Sequence, residues 1–164
     1  MKKLSIVLTL ILTLILATGC SKNYELKQKT YEVADKILEG SEFPDMEKLY
    51  KGNDKNPENV DAIIDMYYRL KTKDFEDYAV YYAGSGGTAD EIAIIEFSDS
   101  KKAEDNKEAF DKRIAERKNV FSGYAPGEVQ KLEKAKVIVK GKYVFMIISE
   151  DPDAGVATFN KSMK

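Results

Sequence analysis

Four stretches of the chain carry residue types suited to chemistry. Cys20 is the only cysteine; it follows an uncharged apolar run from Leu4 to Ala17 and the small residues Thr18-Gly19, and precedes the polar Ser21-Lys22-Asn23. A lone thiol at the junction between an apolar run and polar chain points to membrane targeting. AGSGGTAD at 83–90 is a Gly-rich loop in which Ser85, Gly86, Gly87 and Thr88 could clasp a ligand or a partner, as phosphate loops do through convergent backbone N–H groups. SEDPD at 149–153 gathers Glu150, Asp151 and Asp153, the oxygen ligands calcium prefers. KVIVKGKYVFMII at 136–148 lines Ile138, Tyr143, Phe145 and Ile147 along one face of a hairpin, an apolar-aromatic surface of the kind partners bind if it is left uncovered.

Each reading has a structural competitor. The Gly-rich loop joins two strand-like runs rather than opening a helix, and it lacks the lysine of a phosphate loop, so a turn needing positive φ accounts for its glycines. SEDPD lacks the spacing and the central glycine of a calcium loop; helix capping and the helix dipole explain its acids, and no metal is expected. The hairpin face is plain core if helices cover it. The chain has no histidine, which removes His-based triads, His metal sites and the usual near-neutral proton shuttle. Carboxylates are abundant, but no pair stands out as an acid/base couple, and no motif implies a cofactor.

The N-terminus supplies an address. Lys2 and Lys3 precede the apolar run, the layout of an export signal, and the run is shorter than the roughly 20 residues of a membrane span. Ala17-Thr18-Gly19-Cys20 resembles the lipobox of bacterial lipoproteins, with Ala17 where leucine is usual. The resemblance implies cleavage between Gly19 and Cys20 and a diacylglyceryl thioether on Cys20, two acyl chains being what stable anchoring takes. Residues 1–19 are then a signal peptide, 20–23 the lipidated cysteine and a short tether, and 24–164 one domain. The expected location is extracytoplasmic, on the outer face of the cell membrane.

Loss of residues 1–19 leaves 145 of the 164, enough for one core, and takes the net charge from −2 to −4 because Lys2 and Lys3 go with the signal. Acids and bases interleave with no polybasic stripe, which argues against nucleic acid as a partner. No second cysteine exists to form an intramolecular disulfide.

Periodicity places the elements. A helix is expected over Tyr24–Glu39, a short helical piece over Asp45–Tyr50, and a second helix from Asn56-Pro57. YAVYY and EIAIIEF read as strands joined by the Gly-rich loop. Ser98-Asp99-Ser100 caps a long helix whose stripe is Ala103, Phe110, Ile114 and Phe121, ended by Gly123 and Pro126. AKVIVK and YVFMII form a hairpin on Gly141-Lys142, a type II′ pair that sets Val139 against Val144 and Ile138 against Phe145. Asp151-Pro152 opens a short last helix. The resulting fold class is α+β: a four-stranded antiparallel sheet of two hairpins, helices mainly on one face, in the order α-ββ-α-ββ-α.

DYAVYYAGSGGTADEIAIIEFSDSKKAED, the charged helix, FSGYAP and KVIVKGKYVFMIISEDP together resemble a family of lipoproteins from Gram-positive anaerobes whose domain has no assigned function. The likeness runs from about Tyr31 to Pro152. It implies anchoring through Cys20 and a small α+β domain, and brings no catalytic residue. The expectation is a non-enzymatic binding or accessory module of the cell envelope, with an envelope protein, wall polymer or small ligand as partner. A carboxylate-dependent envelope hydrolase and a small-ligand capture lipoprotein are the rival expectations.

Overall fold

A computed structural model describes residues 24–53 and 57–164. The expected signal segment 1–19, the expected cleavage and lipidation site at Gly19-Cys20, and the expected tether 21–23 lie outside the described residues. In chain order the elements are α1 (Thr30–Glu39), β1 (Met46–Tyr50), α2 (Pro57–Tyr68), a 3-10 turn (Thr72–Asp74), β2 (Phe75–Ala83), β3 (Glu91–Phe97), α3 (Ser100–Ser122), α4 (Pro126–Lys134), β4 (Lys136–Lys140), β5 (Tyr143–Ile148) and α5 (Pro152–Lys161).

The sheet has five strands in the order β1-β2-β3-β5-β4, every neighbour antiparallel. The expected two hairpins are β2-β3 and β4-β5, and the second keeps the expected register, Val139 opposite Val144 and Ile138 opposite Phe145. Gly141 sits at φ +57° while Lys142 is not left-handed, as a type II′ turn requires and a type I′ turn forbids.

Several expectations about elements fail for physical reasons. Met46–Tyr50 is a strand, not a helical piece, and gives the sheet its fifth member: it pairs along β2 from Met46–Ala83 to Tyr50–Ala79 and so covers an otherwise open edge. Five residues are too few for a helix to sustain itself without tertiary support. Pro126 does not merely follow α3; it occupies the first turn of α4, where a missing N–H costs nothing.

Helices cover both faces of the sheet rather than mainly one. β3 and β5 are apolar on both sides, so neither face tolerates water. One layer packs α2, α3 and α4 over Tyr78, Val80, Ala93, Ile95, Val144 and Met146. The opposite layer packs α1 and α5 over Tyr81, Ile92, Ile94, Phe145 and Ile147. α1 buries Val33, Ala34 and Ile37 and is aimed by Asp77, whose carboxylate accepts from the Thr30 amide at 3.2 Å, at the positive end of the helix. Asp99 caps α3 as expected, accepting from Lys102 N at 2.8 Å, and Asp151 caps α5. α5 comes so close to the sheet that a Cβ on Gly155 would collide with Ile147 Cδ1.

This second layer corrects the reading of the last hairpin as a partner surface. Tyr143, Phe145 and Ile147 are buried under α1 and α5, Ile138 is half-buried against the same cluster, and Phe145 stacks on Phe159 at 4.5 Å. These four residues are core.

The chain before α1 is extended, not helical. Leu26 bridges Met163, Lys27 N donates to Ser162 O at 2.9 Å, and Lys164 N donates to Glu25 O at 2.8 Å. Tyr143 ties this segment to the sheet: its hydroxyl accepts from Leu26 N at 3.3 Å and donates to Glu25 Oε2 at 3.2 Å. Burial pushes the Tyr143 phenol up to about 12, and the carboxylates of Glu96 and Glu25 push the same way.

Two outcomes are expected. Phe145→Ala should lower stability by about 3–5 kcal/mol in urea denaturation, and Phe145→Asp should leave no cooperative unfolding transition. The raised Tyr143 pKa makes its stabilising contribution complete below the unfolded value near 10 and lost as pH climbs through about 12. Tm should therefore fall between those values, and fall less in Tyr143→Phe; an identical pH profile for the two proteins would refute the linkage.

Candidate functional site

The chain has 26 basic residues, and only three are arginine: Arg69, Arg113 and Arg117. All three line one cleft of about 420 Å³ between α2, α3 and the Gly-rich loop. Arg113 and Arg117 share a helix face by their four-residue spacing. Arg69, the residue after α2, joins them because α2 lies against α3.

A buried charged pair lies beneath the cleft. Glu91, the first residue of β3, points into the α2/α3 layer and is fully buried. Arg113 holds it with Nη2–Oε2 at 2.8 Å and Nε at 3.2 Å from each oxygen, and the Tyr68 hydroxyl donates to Oε1. The Arg113 guanidinium lies 3.6 Å over the Tyr67 ring. Burial works against the Arg113 charge, but Glu91 outweighs it and holds the guanidinium above its ordinary range. Burial, with Glu91 beside it, drives the Tyr68 phenol well above its usual value, so this hydroxyl stays a donor.

Arg117 is less well matched. Its Nη2 donates to Thr88 O at 2.8 Å, but its nearest approach to Glu91 is 3.9 Å. Its Nε is buried and has no hydrogen-bond partner among the described residues, and the same holds for Thr88 Oγ1. Burial pulls its pKa down, and Arg113 adds to that. Arg69 stands at the rim with φ +58°, the one non-glycine in left-handed backbone among the described residues, and its Nη1 donates to Met66 O at 3.0 Å. Glycine is the usual residue at such a helix end, so placing arginine there costs on the order of 1 kcal/mol.

The rim is apolar. Met66, Val120 and Tyr124 are the large hydrophobic residues most exposed among those described, between 54% and 60%, and all three border this cleft. The Tyr124 hydroxyl donates to Gly86 O at 2.9 Å and so holds the loop against α3.

The loop therefore belongs to the cleft, but not as an anion cradle. Gly86 is left-handed, as a tight turn needs, and its amide donates to Ala83 O at 3.1 Å. The Gly87 amide is engaged by Ser85 Oγ at 3.3 Å. Gly86 forms part of the wall and Thr88 orients Arg117, while Ser85 and Gly87 face solvent. At the SEDPD stretch Asp151 caps α5, Asp153 pairs with Lys136 at 3.3 Å and Glu150 lies 3.7 Å from Lys131. Among the described residues no three acids or thiols converge as a metal site. A second buried pair, Asp90–Lys131 at 2.9 Å, anchors α4 beside the loop.

Reading stripes on α3 passed over these residues, because a charged position on an amphipathic helix is assigned to solvent. The signal that would have found them was the use of arginine itself, three among twenty-six cations.

A five-stranded antiparallel sheet sandwiched between helical layers, with a buried Glu–Arg pair under an arginine cleft, is the class of molecule these features define. The chain belongs to the family described as Domain of unknown function (DUF4358), which it matches over residues 48–149. The matched stretch contains β2 to β5, the end of β1, α2 to α4 and the cleft, and leaves α1 and α5 outside. No curated protein and no solved structure matches the chain.

Removing the Glu91 carboxylate should strand the Arg113 charge. Glu91→Gln is expected to cost about 3–5 kcal/mol in urea denaturation, and Glu91→Leu with Arg113→Leu should recover most of that loss. A Glu91→Gln protein as stable as the parent would overturn the assignment.

Proposed function

We propose that this chain is a lipid-anchored, non-enzymatic binding module on the outer face of the cell membrane, and that the arginine cleft is its binding site. The observation that carries the second half is the gathering of every arginine in the chain, with the most exposed large hydrophobic side chains among the described residues, around one cavity. The first half rests on the export-signal layout and on Ala17-Thr18-Gly19-Cys20. A lipoprotein of a Gram-positive anaerobe is the source this reading implies. The buried Glu91 is engaged by Arg113 and Tyr68, so the cleft supports binding better than carboxylate hydrolysis.

The geometry suits display. Tyr24 packs against Gly141 in the β4-β5 turn, next to Glu96 and Tyr143 at one end of the central strands. The Gly-rich loop and Ile148 lie at the other end, about 20 Å away at the rise of a strand. The cleft is also on the opposite face, since α2 and α3 cover one side of the sheet and α1 and α5 the other. With Cys20 in the membrane, three residues of tether can reach at most about 10 Å. The anchored end of the domain then faces the bilayer and the cleft faces away from it. Among the described residues no helix is long and apolar enough to cross a membrane.

Cys20→Ala should release the protein from the membrane fraction or leave it unprocessed, with no diacylglyceryl mass. Val120→Cys, made with Cys20 intact, should react with a membrane-impermeant maleimide in intact cells. Unaltered fractionation and mass in the first variant, or labelling of the second only after lysis, would overturn the proposal.

A further inference from the structure

Resting on the reading of the cleft as a binding site, we infer that its ligand is a small molecule with an oxyanion head, carboxylate or phosphate, and an apolar body. The head is held by Arg117 and Arg69, and the body lies against Met66, Val120 and Tyr124.

The charge distribution selects the head. Arg113 is committed: three short contacts to Glu91 and the Tyr67 ring beneath it use its fork. Glu91 is thereby neutralised without Arg117, whose approach of 3.9 Å is an ion contact and not a hydrogen bond. Arg117 thus brings a partly buried positive charge with one buried N–H unanswered. Arg69 adds a second guanidinium, and Glu116 is the one acid that lines the cavity, Glu91 lying buried beneath it. Three guanidiniums against Glu91 and Glu116 leave the cleft cationic in a chain whose net charge is negative. Arginine in place of the lysine used almost everywhere else fits this purpose. The planar fork pairs bidentately with carboxylate or phosphate and is desolvated more easily than an ammonium.

The rim selects the body. Exposed Met66, Val120 and Tyr124 would each gain by being covered, and methionine adapts to varied apolar shapes. A cavity near 420 Å³ is within the size range of small-ligand sites. Tyr124 and the loop already make their hydrogen bond at Gly86, so this wall stands ready before a ligand arrives.

The scarcity of arginine makes the test direct. The ¹⁵N-labelled full chain, solubilised in detergent, has only three arginine Nε–H resonances, assignable with Arg69→Lys and Arg117→Lys. Benzoate, phenyl phosphate, benzamide and inorganic phosphate are titrated in turn. Expected is a saturable shift of the Arg117 and Arg69 signals with benzoate, phenyl phosphate or both, and none with benzamide. Inorganic phosphate should bind more weakly than phenyl phosphate. Arg117→Gln should weaken the bound anion about tenfold or more while the backbone amide spectrum keeps its native dispersion. The tighter of the two aromatic anions identifies the head as carboxylate or phosphate. Equal binding of benzamide, or arginine signals that none of the four moves, would overturn the inference. Release of Cys20→Ala from membranes is independent of either result, so loss of this ligand class leaves the anchoring proposal standing.

Discussion

The central strands β3 and β5 are apolar on both faces, and the rest of the fold is a response to that constraint. An antiparallel sheet normally turns one face to water and alternates accordingly. Here Ala93 and Ile95 look one way while Ile92 and Ile94 look the other, and all four are fully buried. Two helical layers are required, and the chain supplies them from separate stretches: α1 and α5 from its two ends, and α2 to α4 from its middle. Because the sheet is shielded twice, Glu91 at the start of β3 has no route to water. Its burial in turn demands the cation that α3 provides.

Much of this was legible where a local rule and the tertiary need agreed. Gly141 set the turn of the last hairpin, and the turn set its register; Asp99 marked the start of α3 and Asp151 that of α5. Legibility failed where a residue answers to something distant. Met46–Tyr50 becomes a strand because β2 has an edge to fill, which no five-residue window records. Pro126 serves a helix that follows it as readily as one that precedes it. The aromatic face of Tyr143 and Phe145 was open to either of two meanings until α1 and α5 were seen to cover it.

The cleft lay deeper than pattern reading reaches. Arg69 and Arg113 are far apart in sequence, and hydrophobic periodicity treats charged positions as solvent-facing. Arg113 is nevertheless buried, held there by an acid on a strand that itself looked like an ordinary polar strand end. Composition held the one clue, a preference for a planar, weakly hydrated cation at three positions in a chain that elsewhere uses an ammonium.

The clasp between the segment leading to α1 and the last residues has a mechanical meaning. Its bonds, Lys27 N to Ser162 O and Lys164 N to Glu25 O, join the extended segment before α1 to the chain end just after α5, at the margin of the domain. Tension applied ahead of Tyr24 would open them one after another, as a zip opens, and would reach α1 only once they had given way. Tyr143 also holds this segment to β5, so the sheet shares the load, while the arginine cleft lies on its far side. A tug on this end of the chain is absorbed at the clasp and at Tyr143 before it can deform the cavity.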